Sequence, residues 1–262
     1  MKLIILLITA FIFISTNLFG TVAIVNGLTH VNSGAAGDVL SGEVVLINSS
    51  AQEQRVVFEI NEAVFSCSEN RAFTPKNPHQ QSSSNWFDGE LMDKVMAPGE
   101  KYTYRYTITV PDDKSLYGSY WTVLMVSIED PINEELLNSH IGLDTKIRYG
   151  VGIVTHIGQS GNVDLAFDSV DLKNTDTLSK NLKIKLKNEG QFMEGVELSL
   201  EVYDNNGNKV TEITTDRNMV FPGTCRDYLL DVSSLSPGEY QCILLAGSRE
   251  EFVGANLSLS IK

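Results

Sequence analysis

Four histidines and three cysteines, with a few groups of aspartates, are the residues of this chain best suited to catalysis or metal binding, and their spacing supports neither. His30, His79, His140 and His156 stand far apart, with no second nitrogen or sulfur ligand at the short spacing a metal site uses. Cys67, in Phe65-Ser-Cys-Ser-Glu69, has no activating motif around it, and no nucleophile elbow occurs. Asp204-Asn-Asn-Gly-Asn-Lys209 lacks the alternating ligands and closing glutamate of a calcium loop, and its Asn-Gly reads as a hairpin turn. Asp112-Asp113 and the set Asp164, Asp168 and Asp171 read as solvated loop carboxylates, with a calcium ion between two domains as the alternative. No catalytic residue, metal site or cofactor is predicted. The chain reads as a protein that is not an enzyme.

Two features have the chemistry of binding instead. The polar segment Ala72 to Asp88 ends on Trp86-Phe87, an aromatic pair suited to stacking on a sugar or anchoring a protein partner. The alternative reading has Trp86 capping the core. The second is the alternating segment Ile147 to Ile157, preceded by Lys146 and carrying Arg148. If it lies at a sheet edge, its backbone can accept a partner strand. If it is paired on both sides, it cannot. Cys225 and Cys242 are the candidates for a disulfide, which would leave Cys67 free.

The elements that position these residues are strands. Lys101 to Val110 alternates cleanly, with Tyr102, Tyr104, Tyr106, Ile108 and Val110 on one face, and Leu182 to Lys187 alternates with its lysines outward. A short turn near Ile132 to Leu137 is the only helical signal. An internal repeat is also present. Ala97-Pro-Gly-Glu100, a strand, a loop and Gly118-Ser-Tyr120 recur as Phe221-Pro-Gly-Thr224, a strand, a loop and Gly238-Glu-Tyr240, and each is preceded by a strand ending in Asn48 or Asn188. The pattern predicts an all-β protein of two tandem immunoglobulin-like antiparallel sandwiches, at residues 24–157 and 163–262. Tyr120 and Tyr240 are expected to lock a corner through their hydroxyls, with Trp121 a structural neighbour.

Lys2 is followed by the apolar run Leu3 to Ile14 and a polar break, which predicts a secretory signal peptide over residues 1–23. The small residues at Gly20 and Ala23 are its two possible cleavage points. The run is shorter than the roughly 20 residues of a membrane span, and the mature chain is expected to carry no transmembrane segment. The full chain of 262 residues holds 33 acidic against 20 basic side chains, a net charge of −13. That balance excludes nucleic acid as a partner.

The stretch Ala97-Pro-Gly-Glu, Val110-Pro-Asp-Asp113 and Gly118-Ser-Tyr-Trp-Thr-Val-Leu-Met125, with Thr145 to Ile157 as a last strand, resembles the first domain of a group of bacterial envelope proteins. That group includes the ectodomains of WxL-interacting surface proteins and the periplasmic pilus-assembly chaperones. The resemblance implies an exported, non-catalytic protein of the periplasm or cell surface that binds another envelope protein, with a glycan as a further ligand class. Its alternative is a pilus-chaperone-like role, with a domain-one strand donated to an exported subunit. Pilus chaperones anchor a subunit's terminal carboxylate with a first-strand arginine and a last-strand lysine. Here Val22 to Val31 contains neither, so Lys146 and Arg148 supply only the second half of that anchor.

Overall fold

The structure is a computed structural model, which describes residues 21–67, 71–75, 79–129, 146–174 and 180–261. The apolar leader before Thr21, the turn expected near Ile132 and His140 lie outside these residues. The first sandwich opens with β1 (Val22–Ile24), β2 (Thr29–Gly34), β3 (Val39–Asn48), β4 (Gln54–Val64) and β5 (Ala72–Thr74). It continues with β6 (Phe87–Gly89), β7 (Lys94–Met96), β8 (Lys101–Thr109), β9 (Gly118–Glu129) and β10 (Ile147–Ile157). The second consists of β11 (Leu165–Asn174), β12 (Lys180–Asn188), β13 (Glu194–Tyr203) and β14 (Lys209–Thr214), followed by β15 (Asn218–Val220), β16 (Cys225–Asp231), β17 (Gly238–Ser248) and β18 (Glu251–Ile261). The protein is all-β, with two tandem immunoglobulin-like sandwiches.

One sheet of the first sandwich runs β1-β3-β8-β6, and the facing sheet runs β2-β10-β9-β4-β5 with β7 also on β4. The segment holding β1 and β2 therefore crosses between sheets. β1 is antiparallel to β3, whereas β2 is parallel to β10, unlike the other strand pairs described. The second sandwich faces β11-β12-β16 against β14-β13-β17-β18.

Alternation sends the expected residues inward. Tyr104, Tyr106 and Ile108 of β8 join Leu124 and Val126 of β9 in the first core, and Phe58 stacks on Tyr104 at 4.4 Å. Leu182, Ile184 and Leu186 of β12 pack with Leu198, Leu200 and Leu244 in the second. Gly42 and Gly89 are cut to fit the tyrosines: a Cβ at Gly42 would meet the Tyr106 hydroxyl at 2.3 Å, and one at Gly89 the Tyr104 hydroxyl at 2.6 Å. Val22 is fully buried, and its carbonyl accepts the Tyr149 hydroxyl at 3.0 Å.

Candidate functional site

β9 is buried on both faces, which explains its nearly continuous apolar run from Tyr120 to Val126. Leu124, Val126 and Ile128 point into the first core. Trp121, Val123 and Met125 point the other way and join Ala63 and Val154 in a second cluster, completed by Met193 and Phe221 of the second sandwich. The Trp121 indole N–H donates to the Ala63 carbonyl at 2.9 Å. Its ring lies 4.3 Å from His79 and 4.7 Å from Phe221, which itself stacks on Phe65 at 4.3 Å. The two sandwiches are thus joined by a packed junction.

A disulfide crosses it. Cys67 is bonded to Cys225, and Cys242 is the free, buried thiol. This corrects the Cys225–Cys242 pairing expected above, and strand parity gives the reason. Tyr228 and Leu230 of β16 point into the second core, so Cys225, of opposite parity, faces outward. Cys242 shares the inward face of β17 with Leu244 and Ala246, and burial pushes its thiol pKa up.

Polar contacts complete the junction. The Ser119 backbone N–H donates to the Gln191 carbonyl at 2.8 Å, and the Met193 N–H donates to Ser119 Oγ at 2.7 Å. Ser119 Oγ also lies 2.8 Å from His156 Nδ1. Gly118 sits at φ +105, where a Cβ would meet the Gln191 carbonyl at 2.4 Å, so only glycine permits this approach. Glu194, 3 % exposed, is held by Arg249 at 2.6 Å and by Ser248 Oγ at 2.7 Å. Burial lowers the pKa of both junction histidines, His79 against the opposing pull of Glu62 and His156 against that of Glu194.

Beside the cluster a cleft of about 320 Å³ lies between the sandwiches. Its walls include Phe65, Phe73, Trp121 and Phe221, and its lining includes Arg71, Arg217 and Arg226, with no carboxylate among the described residues. Gly150 and Gly152, two apart on β10, put no side chain on this face. Paired glycines of this kind mark a place where another group approaches a strand closely.

β10 itself is a half-open edge. β9 pairs with it along its whole length, but β2 covers only Gly152 to Ile157. The Gly152 N–H points to that side, donating to the Leu28 carbonyl at 2.9 Å. Strand alternation turns the N–H and C=O of Arg148 and Gly150 the same way. Among the described residues, no strand pairs with Ile147 to Val151 there.

The other sequence-derived candidates fall elsewhere. Trp86, 8 % exposed, ends a 3₁₀ turn and packs on Tyr120 at 4.7 Å in the first core, which removes it as a sugar platform. Phe87 starts β6 and stacks on Tyr106 at 5.4 Å. Lys146 and Arg148 are both neutralised, by Glu129 at 3.0 Å and Glu59 at 3.1 Å. The Tyr240 hydroxyl donates to the Ser236 carbonyl at 2.9 Å, closing a corner. Tyr120 contributes its ring against Trp86. Asp204 Oδ1 accepts the backbone N–H of Asn206 and of Asn208 at a tight turn, with Gly207 at φ +82. No cluster of three or more metal-ligating side chains occurs among the described residues, and none of their helices is long and apolar enough to cross a membrane. The three cleft arginines escaped the sequence reading because each is isolated in the chain. The Gly-x-Gly inside β10 was the one local sign.

No family model and no curated protein matches this chain. Solved structures similar to it include the YadV chaperone, at 12% identity and TM-score 0.47 over 91% of this chain and 99% of that one. The class 5 fimbriae chaperone CfaA is 13% identical, with TM-score 0.48 over 91% and 98%. The SafB chaperone of Salmonella enterica, solved in complex with SafA pilin, is 12% identical, with TM-score 0.45 over 94% and 99%. Each of these three is named as a chaperone, and none as a WxL-interacting surface protein.

Proposed function

We propose that this chain is an exported, non-catalytic protein-binding protein of the bacterial envelope that takes an extended segment of its partner onto the free half of β10. The observation that carries the proposal is the edge at Arg148 and Gly150, uncovered among the described residues, beside a stretch where β2 pairs on that side. An unpaired edge carries donors and acceptors at the spacing of a strand, which is the chemistry of strand addition. The pilus-chaperone-like reading is favoured over a general surface adhesin, because Trp86 is core and the open backbone is the recognition element left. SafB is solved with a pilin, and an exported subunit of that kind is the partner class to test first. The leader is proposed to end at Gly20 rather than Ala23, since a cut after Ala23 would remove two of the three residues of β1.

The test uses two substitutions at one position. Gly150→Pro deletes the edge N–H, whereas Gly150→Ala keeps it and adds similar bulk to the cleft face. Co-purification of exported subunits with the mature protein is expected to survive Gly150→Ala and to fail with Gly150→Pro. Capture that survives Gly150→Pro in a folded protein would sink the strand-addition reading.

A further inference from the structure

The cleft between the sandwiches has a charge opposite to that of the molecule. The chain carries a net −13, yet Arg71, Arg217 and Arg226 line one space with no aspartate or glutamate lining it among the described residues. They come from three separate places: Arg71 precedes β5, Arg217 lies between β14 and β15, and Arg226 is the second residue of β16. Of the four other arginines, three are paired with acids: Arg55 with Asp93 and Glu129, Arg148 with Glu59, and Arg249 with Glu194. Arg71 and Arg217 have no ion pair or hydrogen bond among the described residues. Among the described residues Arg226 bonds neutral groups, the Asn218 side chain at 2.7 Å and the Met219 carbonyl at 3.4 Å.

Unpaired guanidiniums gathered in one space repel one another, and an anion seated among them relieves that repulsion. Arginine is also the side chain best shaped to grip a multi-oxygen anion, through paired N–H bonds. The remaining surface of the cleft is apolar and aromatic, from Trp121, Phe65, Phe73 and Phe221. A free inorganic ion would leave those rings wet. A volume of about 320 Å³ is at the lower end of the range of small-molecule pockets, roughly 300–1,000 Å³.

We propose that this cleft is a binding site for a small amphipathic anion, an apolar ring or chain bearing a head with at least two negative charges. Three unpaired cations call for more charge than one carboxylate brings. The head lies toward the arginines and the apolar body against the aromatic walls. The cleft shares Gly150 and Gly152 with β10, but its test needs no protein partner and no strand addition.

Calorimetric titration of the oxidised mature protein at pH 8 and low salt, with phenyl phosphate, isophthalate, benzoate, inorganic phosphate and benzyl alcohol, decides it. Phenyl phosphate and isophthalate are expected to bind with one-to-one saturation, more tightly than benzoate (one charge), inorganic phosphate (no ring) and benzyl alcohol (no charge). Arg71→Ala and Arg217→Ala are each expected to weaken phenyl phosphate roughly tenfold, the usual effect of losing one charge-assisted contact. Their thermal midpoints should stay close to the parent value, because among the described residues neither side chain has an ion pair or hydrogen bond to lose and Arg217 only packs over Gly195. Binding should also fall as salt is raised. No saturable binding by either doubly charged ligand would overturn the proposal, as would affinity unchanged in both variants. Benzyl alcohol binding as well as phenyl phosphate would likewise overturn it.

Discussion

The side-chain amides of Asn48 and Asn188 do the same work in the two sandwiches, each tying the end of a strand to the Pro-Gly turn that follows later in its own domain. Asn48 Nδ2 donates to the carbonyls of Gln52, Met96 and Ala97, and Asn188 Nδ2 to those of Phe192 and Val220, each in the 2.7–3.1 Å range. The backbone repeats the match. Gly99 N–H donates to the Asn48 carbonyl and Gly223 N–H to the Asn188 carbonyl, both at 2.9 Å. Both side chains are fully buried, so no water can replace a lost donor.

Asn48→Ala and Asn188→Ala are therefore expected to cost about 2–3 kcal/mol each, from buried carbonyls left without a donor. The two sites share no partner, so the double variant should be additive within about 0.5 kcal/mol. Urea unfolding of the three variants checks this. A cost below about 1 kcal/mol at either position would mean the latch is dispensable.

The Cys67–Cys225 bond spans 158 residues of chain and ties β16 to the loop after β4. On the chain-entropy argument, its removal in Cys67→Ser/Cys225→Ser costs about 5 kcal/mol. Peptide mapping should recover the Cys67–Cys225 link and no other. Cys242 should resist alkylation until denaturant is added, because it lies in the second core. A Cys225–Cys242 peptide would overturn the assignment.

Acidification is expected to loosen the junction. His79 stacks on Trp121 and His156 contacts Ser119, and burial holds the folded-state pKa of each below the ordinary histidine value near 6.5. The unfolded chain therefore binds protons that the folded chain refuses. The stability these histidines lend is complete above about pH 6.5 and is lost as the pH falls below it toward their folded pKa values. The groups facing them set the size of the effect: Glu62 opposes the shift at His79, and at His156 Glu194 opposes it while Arg249 adds to it. Thermal midpoints should drop between pH 7.5 and pH 5, and His79→Gln with His156→Gln should flatten that drop. An equal slope in the double variant would assign the pH dependence to other groups.

Much of this was legible in the chain because it is local. The alternation of Tyr102 to Val110 and of Leu182 to Lys187 is a two-residue period, and it names the buried face without reference to any partner. The recurring Pro-Gly turns and the two asparagines marked a repeated unit in the same way. β9 shows where this stops. A strand apolar on both faces does not say which face meets its own sandwich and which meets a neighbour. Trp121 consequently read only as a structural neighbour of Tyr120, although it belongs to the junction. For Trp86 the sequence left two readings open, an aromatic binding pair with Phe87 or a cap on the core, and its packing against Tyr120 is the second.

By itself, then, the sequence determined the strands, their inward faces, the doubling of the unit and the acidic balance, all of which depend on residues near one another in the chain. Only the tertiary structure decided that Cys67 rather than Cys242 meets Cys225, that β2 leaves part of β10 uncovered, and that three distant arginines share one cleft. The physical reason is common to these three. Each depends on how two sheets or two sandwiches are set against each other, and that arrangement is chosen by the packing of the whole core.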